Sequence, residues 1–426
     1  MVKIKANNII KVIVLLLIYR SVATDRQGIF SVTYWDKYIY GILCCCILFF
    51  LIIFRQSGKY SISNIEKKIF LWIFTPIVIA WIYSMIINVF SPFEFSGYFT
   101  RSLSNVMFPL LSILQGLMLF KYFGHKAIDI TFATYSLSFG TSMVVAFLNG
   151  GLNQFILMIV DSTYNGSVLE MSELSPAFCV FLIYYLYEYK YRGLSKRKMV
   201  FRETICAFVL IIGMKRILIL ASGILILVYF VLRNRTKNIQ FWTGLMTIGV
   251  IFISFFYVYA IKSHLLFDIL NKFNINTMSR AEFWLAIENT YSFSPLYLGH
   301  GTGFVSKWMD NNWHALGIIG LTQTTGLHND ILKYYIDLGF IGFAMYLYWN
   351  LKAVSDRIGK FLDNRAAFVY FLMMLLQVLC WFTDNISSYH VFLYPFYMII
   401  FCLINDVQKE NYHAKTLYKE IKNCYR

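Results

Sequence analysis

The sequence predicts an all-α fold: a polytopic integral membrane helical bundle of about twelve transmembrane helices. One membrane domain spans 1–426, and a large extracytoplasmic loop at 261–333 contains short helices. Three observations predict this. Of 426 residues, 58% are hydrophobic and only 14% charged, with a mean hydropathy of +0.60, more apolar surface than a water-soluble core absorbs. Apolar runs close to the ~20 residues that cross a bilayer recur along the chain. Finally, Lys and Arg collect in alternate connections, as the retention of positive charge in the cytoplasm requires.

The runs place spans near 8–24, 38–54, 69–90, 102–120, 127–147, 173–189, 203–214, 217–232, 239–260, 334–351, 366–383 and 388–405. Twelve crossings leave both termini on one side. The connections on that side hold 26 of the 38 Lys and Arg, so both termini are expected in the cytoplasm and 279–330 outside it. The formal charge of +16 therefore punctuates apolar runs and does not form a nucleic-acid-binding face.

The first run lacks a small-residue cleavage site and reads as the first anchor. Cys44, Cys45, Cys46, Cys179, Cys206, Cys380, Cys402 and Cys424 fall in spans or on the cytoplasmic side, which leaves no disulfide framework outside. Three consecutive cysteines cannot share one helix face, so the triplet reads as packing. The outer segment 148–172 carries few charges, among them Asp161 and Glu170, and suggests no chemistry.

Residues 203–232 could form one helix with Lys215 and Arg216 at its centre. Basic clusters on both flanks, KYRGLSKRK and RNRTK, predict instead a down-and-back pair turning near Gly213, because a single crossing would expose one cluster outside. The turn holds Arg216 near the outer surface, where an ionisable group marks a functional site or snorkels from a helix end.

Ser279-Arg280-Ala281-Glu282 fits a capping box. Phe283, Trp284, Ile287 and Tyr291 share the face that packs on the bundle, and Pro295 ends the helix. Arg280 thus lies in a first turn, where a cation is unfavourable unless an anion binds beside it. Gly299-His300-Gly301-Thr302-Gly303 lacks the strand and Lys-Ser/Thr of a phosphate loop, so its glycines are expected to permit a tight turn or close backbone approach. His300, His314 and His328, fourteen residues apart, do not have metal-ligand spacing. His328 differs by position: with Asn329 and Asp330 it opens an apolar run, at the outer mouth of a membrane helix, where a neutral imidazole can accept a proton.

In their order, MKRILILASG, Arg280 and Trp284 followed by Pro295 and GHGTGF, then His328-Asn329 and Leu338-Gly339-Phe340-Ile341-Gly342, these pieces resemble the bacterial O-antigen polymerase and O-antigen ligase family over roughly 205–350. Lys215 stands where the family usually has Ser or Thr before its first Arg, which leaves open whether Lys215 or Arg216 acts. The resemblance implies a metal-independent, cofactor-free inverting glycosyltransferase of the bacterial inner membrane. Its donor and acceptor would be glycans on polyprenyl diphosphate, met at the outer leaflet beside membrane lipid. His328 would be the general base, and Arg216 and Arg280 would grip the departing diphosphate. Lys215, Arg101, Asn329 and Trp284 would bind substrate, and a chain-length regulator protein is an implied partner. A polymerase extending O-antigen, capsule or exopolysaccharide repeats is the expectation; a ligase handing glycan to a lipid core or protein uses the same groups. A transporter or flippase would place charges at mid-depth in two related halves, and no internal repeat is evident.

Overall fold

Over their described residues the twelve expected spans coincide with helical segments in the computed structural model, which describes residues 6–22, 36–54, 62–90, 98–160, 173–213, 215–274, 277, 280–312 and 326–404. The helices are α1 (Ala6–Val22), α2 (Asp36–Phe54), α3 (Asn64–Phe90), α4 (Tyr98–Phe123), α5 (Lys126–Val160), α6 (Leu174–Tyr191), α7 (Lys196–Ile212) and α8 (Arg216–Leu232). They continue with α9 (Ile239–Lys262), α10 (Leu265–Lys272), α11 (Arg280–Ile287), α12 (Phe304–Asn312), α13 (Asp330–Tyr348), α14 (Val354–Phe361), α15 (Asn364–Trp381) and α16 (His390–Ile404). Among the described residues, α2, α3, α4, α9 and α15 are long and apolar enough to cross a membrane.

Burial distinguishes the helices of the interior from those at the rim. The apolar stretch of α15 is 83% buried, whereas that of α9 is 28% buried and leaves Phe241, Ile248 and Phe252 largely exposed. A helix apolar all round suits an interior or a lipid environment, and the bundle uses both. The chain between α7 and α8 is interrupted at Gly213, as the flanking charges predict; a Cβ there would lie 2.8 Å from Ser175 Oγ on α6.

Two boundaries differ from the sequence reading. α5 continues to Val160, so 148–160, expected as loop, is helical, and 161–172 lie outside the described residues. α11 stops well before Pro295: it ends at Ile287 and tightens into a 3-10 turn over Glu288–Thr290. Its apolar face is as expected, with Phe283, Trp284, Ile287 and Tyr291 all buried. Ser279 of the capping box lies outside the described residues, as does His314.

The glycine-rich segment and α13 form one unit. Gly339 takes φ 72° and ψ −177° and breaks α13 in its middle, in a region of backbone space open essentially only to glycine. The broken turn frees carbonyls that need partners. His300 N–H donates to Ile336 O (3.0 Å) and Gly301 N–H to Asp337 O (2.6 Å), while Phe340 N–H donates to Tyr297 O (2.8 Å). The Asp337 carboxylate accepts from Gly303 N–H and Val305 N–H, each 3.2 Å, at the start of α12. A Cβ on Gly299 would sit 2.4 Å from Gly339 N, and one on Gly339 2.3 Å from Leu298 C, so neither backbone admits a side chain. These glycines serve close backbone approach, and the N–H groups of residues 300, 301 and 303 are engaged by α13 instead of facing a phosphate.

Candidate functional site

Three helices begin at the site: α8 at Arg216, α11 at Arg280 and α13 at Asp330. Helix N-termini present unpaired N–H groups and a partial positive charge, so each start favours an anion. What ties the three together is the segment between α15 and α16, residues 382–389. Its Asp384 is buried and forms an ion pair with Lys215, and its Oδ1 lies 3.6 Å from His328 Nδ1. The same Oδ1 accepts from Tyr389 OH (2.8 Å) and from Asn385 N–H (2.9 Å).

Burial alone would raise the Asp384 carboxyl, but the Lys215 ammonium beside it, together with His328, holds it well below the usual carboxylate range. Asp384 is therefore a fixed negative charge between a buried cation and an imidazole. Its distance to His328 is within ion-pair reach and long for a hydrogen bond, as catalytic contacts commonly are before substrate binds.

His328 is held on its other side by the start of α13. Its backbone is left-handed, φ 50°, a conformation uncommon outside glycine, and its side chain is one-third exposed. Asn329 is the N-cap: its Oδ1 accepts from Leu332 N–H (2.9 Å) and its Nδ2 donates to Tyr257 OH (3.1 Å). Tyr257, on α9, donates in turn to Phe382 O (2.7 Å). Trp284 Nε1 donates to Leu327 O (3.2 Å), and its ring meets that of Tyr257 at 6.2 Å.

Arg280, half-buried, opens α11 and acts electrostatically on the Tyr257 hydroxyl. A run of contacts therefore leads from Lys215 through Asp384 to His328, and from its neighbour Asn329 to Tyr257, which lies within the electrostatic reach of Arg280. Arg216 is the exposed neighbour of the buried Lys215.

Three sequence-predicted residues have protein partners. Asn329 and Trp284, expected against substrate, hold the His328 segment. Arg101 ion-pairs with Asp310 on α12, Nη2 to Oδ2 2.5 Å, and ties α4 to the glycine segment. His300 is held too: its Nε2 donates to Thr290 O (2.6 Å), its ring stacks on Phe304, and burial lowers its pKa. A cavity of about 50 Å³ deeper in the bundle is lined by Lys333, Asp337, Asn350, Gln377 and Trp381 among others, and by none of the predicted site residues.

Asp384 is absent from the sequence reading because it follows an apolar run with no motif around it. The one signal available is that an Asp immediately beyond a membrane-length run, TDN after VLCWF, is itself unusual.

A comparison with curated proteins finds no match for the chain. A family model described as O-antigen ligase matches residues 204–347, a stretch that holds Lys215, Arg216, Arg280, Trp284, His328 and Asn329 and stops short of Asp384. That domain, set on an apolar helical bundle, supports a relationship of the chain to the O-antigen ligase and polymerase family.

Proposed function

We propose that the protein is a membrane glycosyltransferase that joins glycans carried on polyprenyl diphosphate, at the outer face of the cytoplasmic membrane. The observation that carries this reading is the meeting of the His328 imidazole, the Asp384 carboxylate and the Lys215 ammonium where α8 and α13 begin. A diphosphate leaving group needs clustered positive charge, and an attacking hydroxyl needs a base beside it.

In the reaction, the acceptor hydroxyl oxygen forms a bond to the anomeric carbon of the donor as the bond from that carbon to the phosphate oxygen breaks. The hydroxyl proton passes to His328. With Nδ1 turned to Asp384, Nε2 is the acceptor nitrogen, and the carboxylate stabilises the imidazolium that forms. The electron pair of the broken bond leaves with polyprenyl diphosphate, whose charge is met by Arg216, Arg280 and the positive ends of the α8 and α11 dipoles. Direct displacement inverts the anomeric configuration.

The orientation follows from α7 and α8. Seventeen helical residues span about 25 Å, so Lys215 and Arg216 lie roughly one membrane thickness from the basic clusters at the far ends of both helices. Those clusters belong in the cytoplasm, which supports a site on the outer face.

The acceptor is another repeat unit if the protein is a polymerase and a lipid core or protein if it is a ligase; the matched family model fits both. Glycan analysis of a deletion strain decides. Single repeats capped onto the lipid core indicate a polymerase, and polymer stranded on polyprenyl diphosphate indicates a ligase. His328→Ala should abolish product while the protein still inserts. Normal product from that variant would remove His328 from the mechanism and this reading with it.

A further inference from the structure

We propose that Asp330 is a positioning residue for the transfer: it clamps the 382–389 segment onto the start of α13, so that Asp384 meets His328. This rests on the reading of His328 as the base. The carboxylate Oδ2 of Asp330 accepts from Ser387 N–H (2.9 Å), and its own backbone N–H donates to Asp384 O (3.3 Å). One residue, two positions beyond His328 in the chain, thus holds the segment that carries Asp384 at two points three residues apart.

The ordinary reading of an acidic residue in a first turn is that it complements the helix dipole. That role is served at the surface, as by Glu282 in the first turn of α11, which is exposed. Asp330 is fully buried instead. Removing a carboxylate from water is costly, and here Ser387 N–H and the charge of Lys333, one turn further along α13, offset part of that cost, while Oδ1 is buried without a hydrogen bond.

The bonds explain why Asp384 can act although it lies more than fifty residues from His328. The 382–389 segment links two buried helices and has only a 3-10 turn of its own, Ile386–Ser388. Asp330 fixes its middle, Tyr257 OH donates to its first carbonyl, that of Phe382, and Lys215 holds the Asp384 side chain.

The clamp needs an acceptor oxygen at position 330, not a charge, and this makes it testable. Product per molecule of inserted protein is compared in a deletion strain carrying Asp330→Asn, Asp330→Ala, Ser387→Pro or His328→Ala. Asn keeps an oxygen for Ser387 N–H and should retain activity within about threefold of the parent, while Ala should lose at least about tenfold, the loss expected for one hydrogen bond to a charged group. Ser387→Pro removes the same bond from the donor side and should fall with Ala, which decides the matter where Asp330→Ala fails to insert. Full activity of Ala or of Ser387→Pro overturns the clamp, and so does an Asn variant that inserts and is as inactive as Ala. If His328→Ala is itself active, the fault lies with the proposed base and not with the clamp.

Discussion

Two segments grip α13, and they do so differently. The glycine-rich stretch 299–303 meets the middle of the helix, where Gly339 breaks it, through backbone groups and the Asp337 carboxylate. The 382–389 segment meets the beginning of the helix through side chains, and it brings Asp384 to His328 and Lys215. The first is conspicuous in the sequence and engaged in structure; the second is inconspicuous and holds the charge beside the imidazole. Glycines at close spacing report that two backbones touch, which says nothing of chemistry by itself.

The largest effect is therefore expected at the inconspicuous segment. Asp384→Asn keeps the shape of the side chain, but it removes the charge that faces both His328 and Lys215. Product per inserted molecule should fall by about 100-fold or more, the scale set by a general base left without its orienting partner. Glycan gel ladders normalised to protein in the membrane measure it, and a ladder of parental intensity would reduce Asp384 to a structural counter-ion.

A second comparison is between neighbours, Lys215 and Arg216. Lys215 is buried on Asp384, whereas Arg216 is exposed in the first turn of α8, and in the proposed reaction Arg216 is the cation offered to phosphate. Arg216→Lys should cost about tenfold in product through loss of the paired guanidinium donors, with protein abundance unchanged. Lys215→Met should act in the opposite way, lowering abundance because breaking a buried ion pair costs about 3–5 kcal/mol. Equal losses of activity with unchanged abundance in both variants would put the two cations in one role.

Much of this was legible in the sequence, for physical reasons that differ by region. The spans, the interruption near Gly213 and the buried face of α11 follow from hydropathy, flanking charge and helical period, which are local. Asn329 as a helix cap is local too. The Asp384 contact joins residues 328 and 384 across α13, α14 and α15, and no periodicity encodes such a pairing. The continuation of α5 to Val160 is not legible in the sequence, because its polar residues, Asn149 and Asn153, lie beyond the length that the membrane thickness alone calls for. The Pro295 boundary erred the other way: proline forbids continuation, but α11 had already stopped.

At the glycine segment the expected damage is to the fold. Gly339→Ala forces a Cβ to 2.3 Å from Leu298 C and places alanine at φ 72°, a strain of about 1–3 kcal/mol before the clash is counted. Abundance in the membrane should fall several-fold, because stability changes of this size alter the fraction degraded. The molecules that do insert should keep most of their activity. A Gly339→Ala protein that is abundant and inactive would mean that the break in α13 takes part in the chemistry, and the contrast between the two segments would dissolve.

The smallest effect separates Arg101 from the site. Its partner is Asp310, and its side chain is 41% exposed. An ion pair so open to solvent contributes about 0.2–1 kcal/mol, and it joins α4 to α12 without reaching the residues around His328. Arg101→Ala should leave both abundance and product within about twofold of the parent. Arg101→Glu puts two like charges together and should lower abundance further than Ala does, with product per molecule still unchanged. If either variant instead lost product per molecule by tenfold or more, Arg101 would join Arg216 and Arg280 on the diphosphate. Asp310 would then be the residue that holds it ready, and the glycine segment, through α12, would share in the chemistry after all.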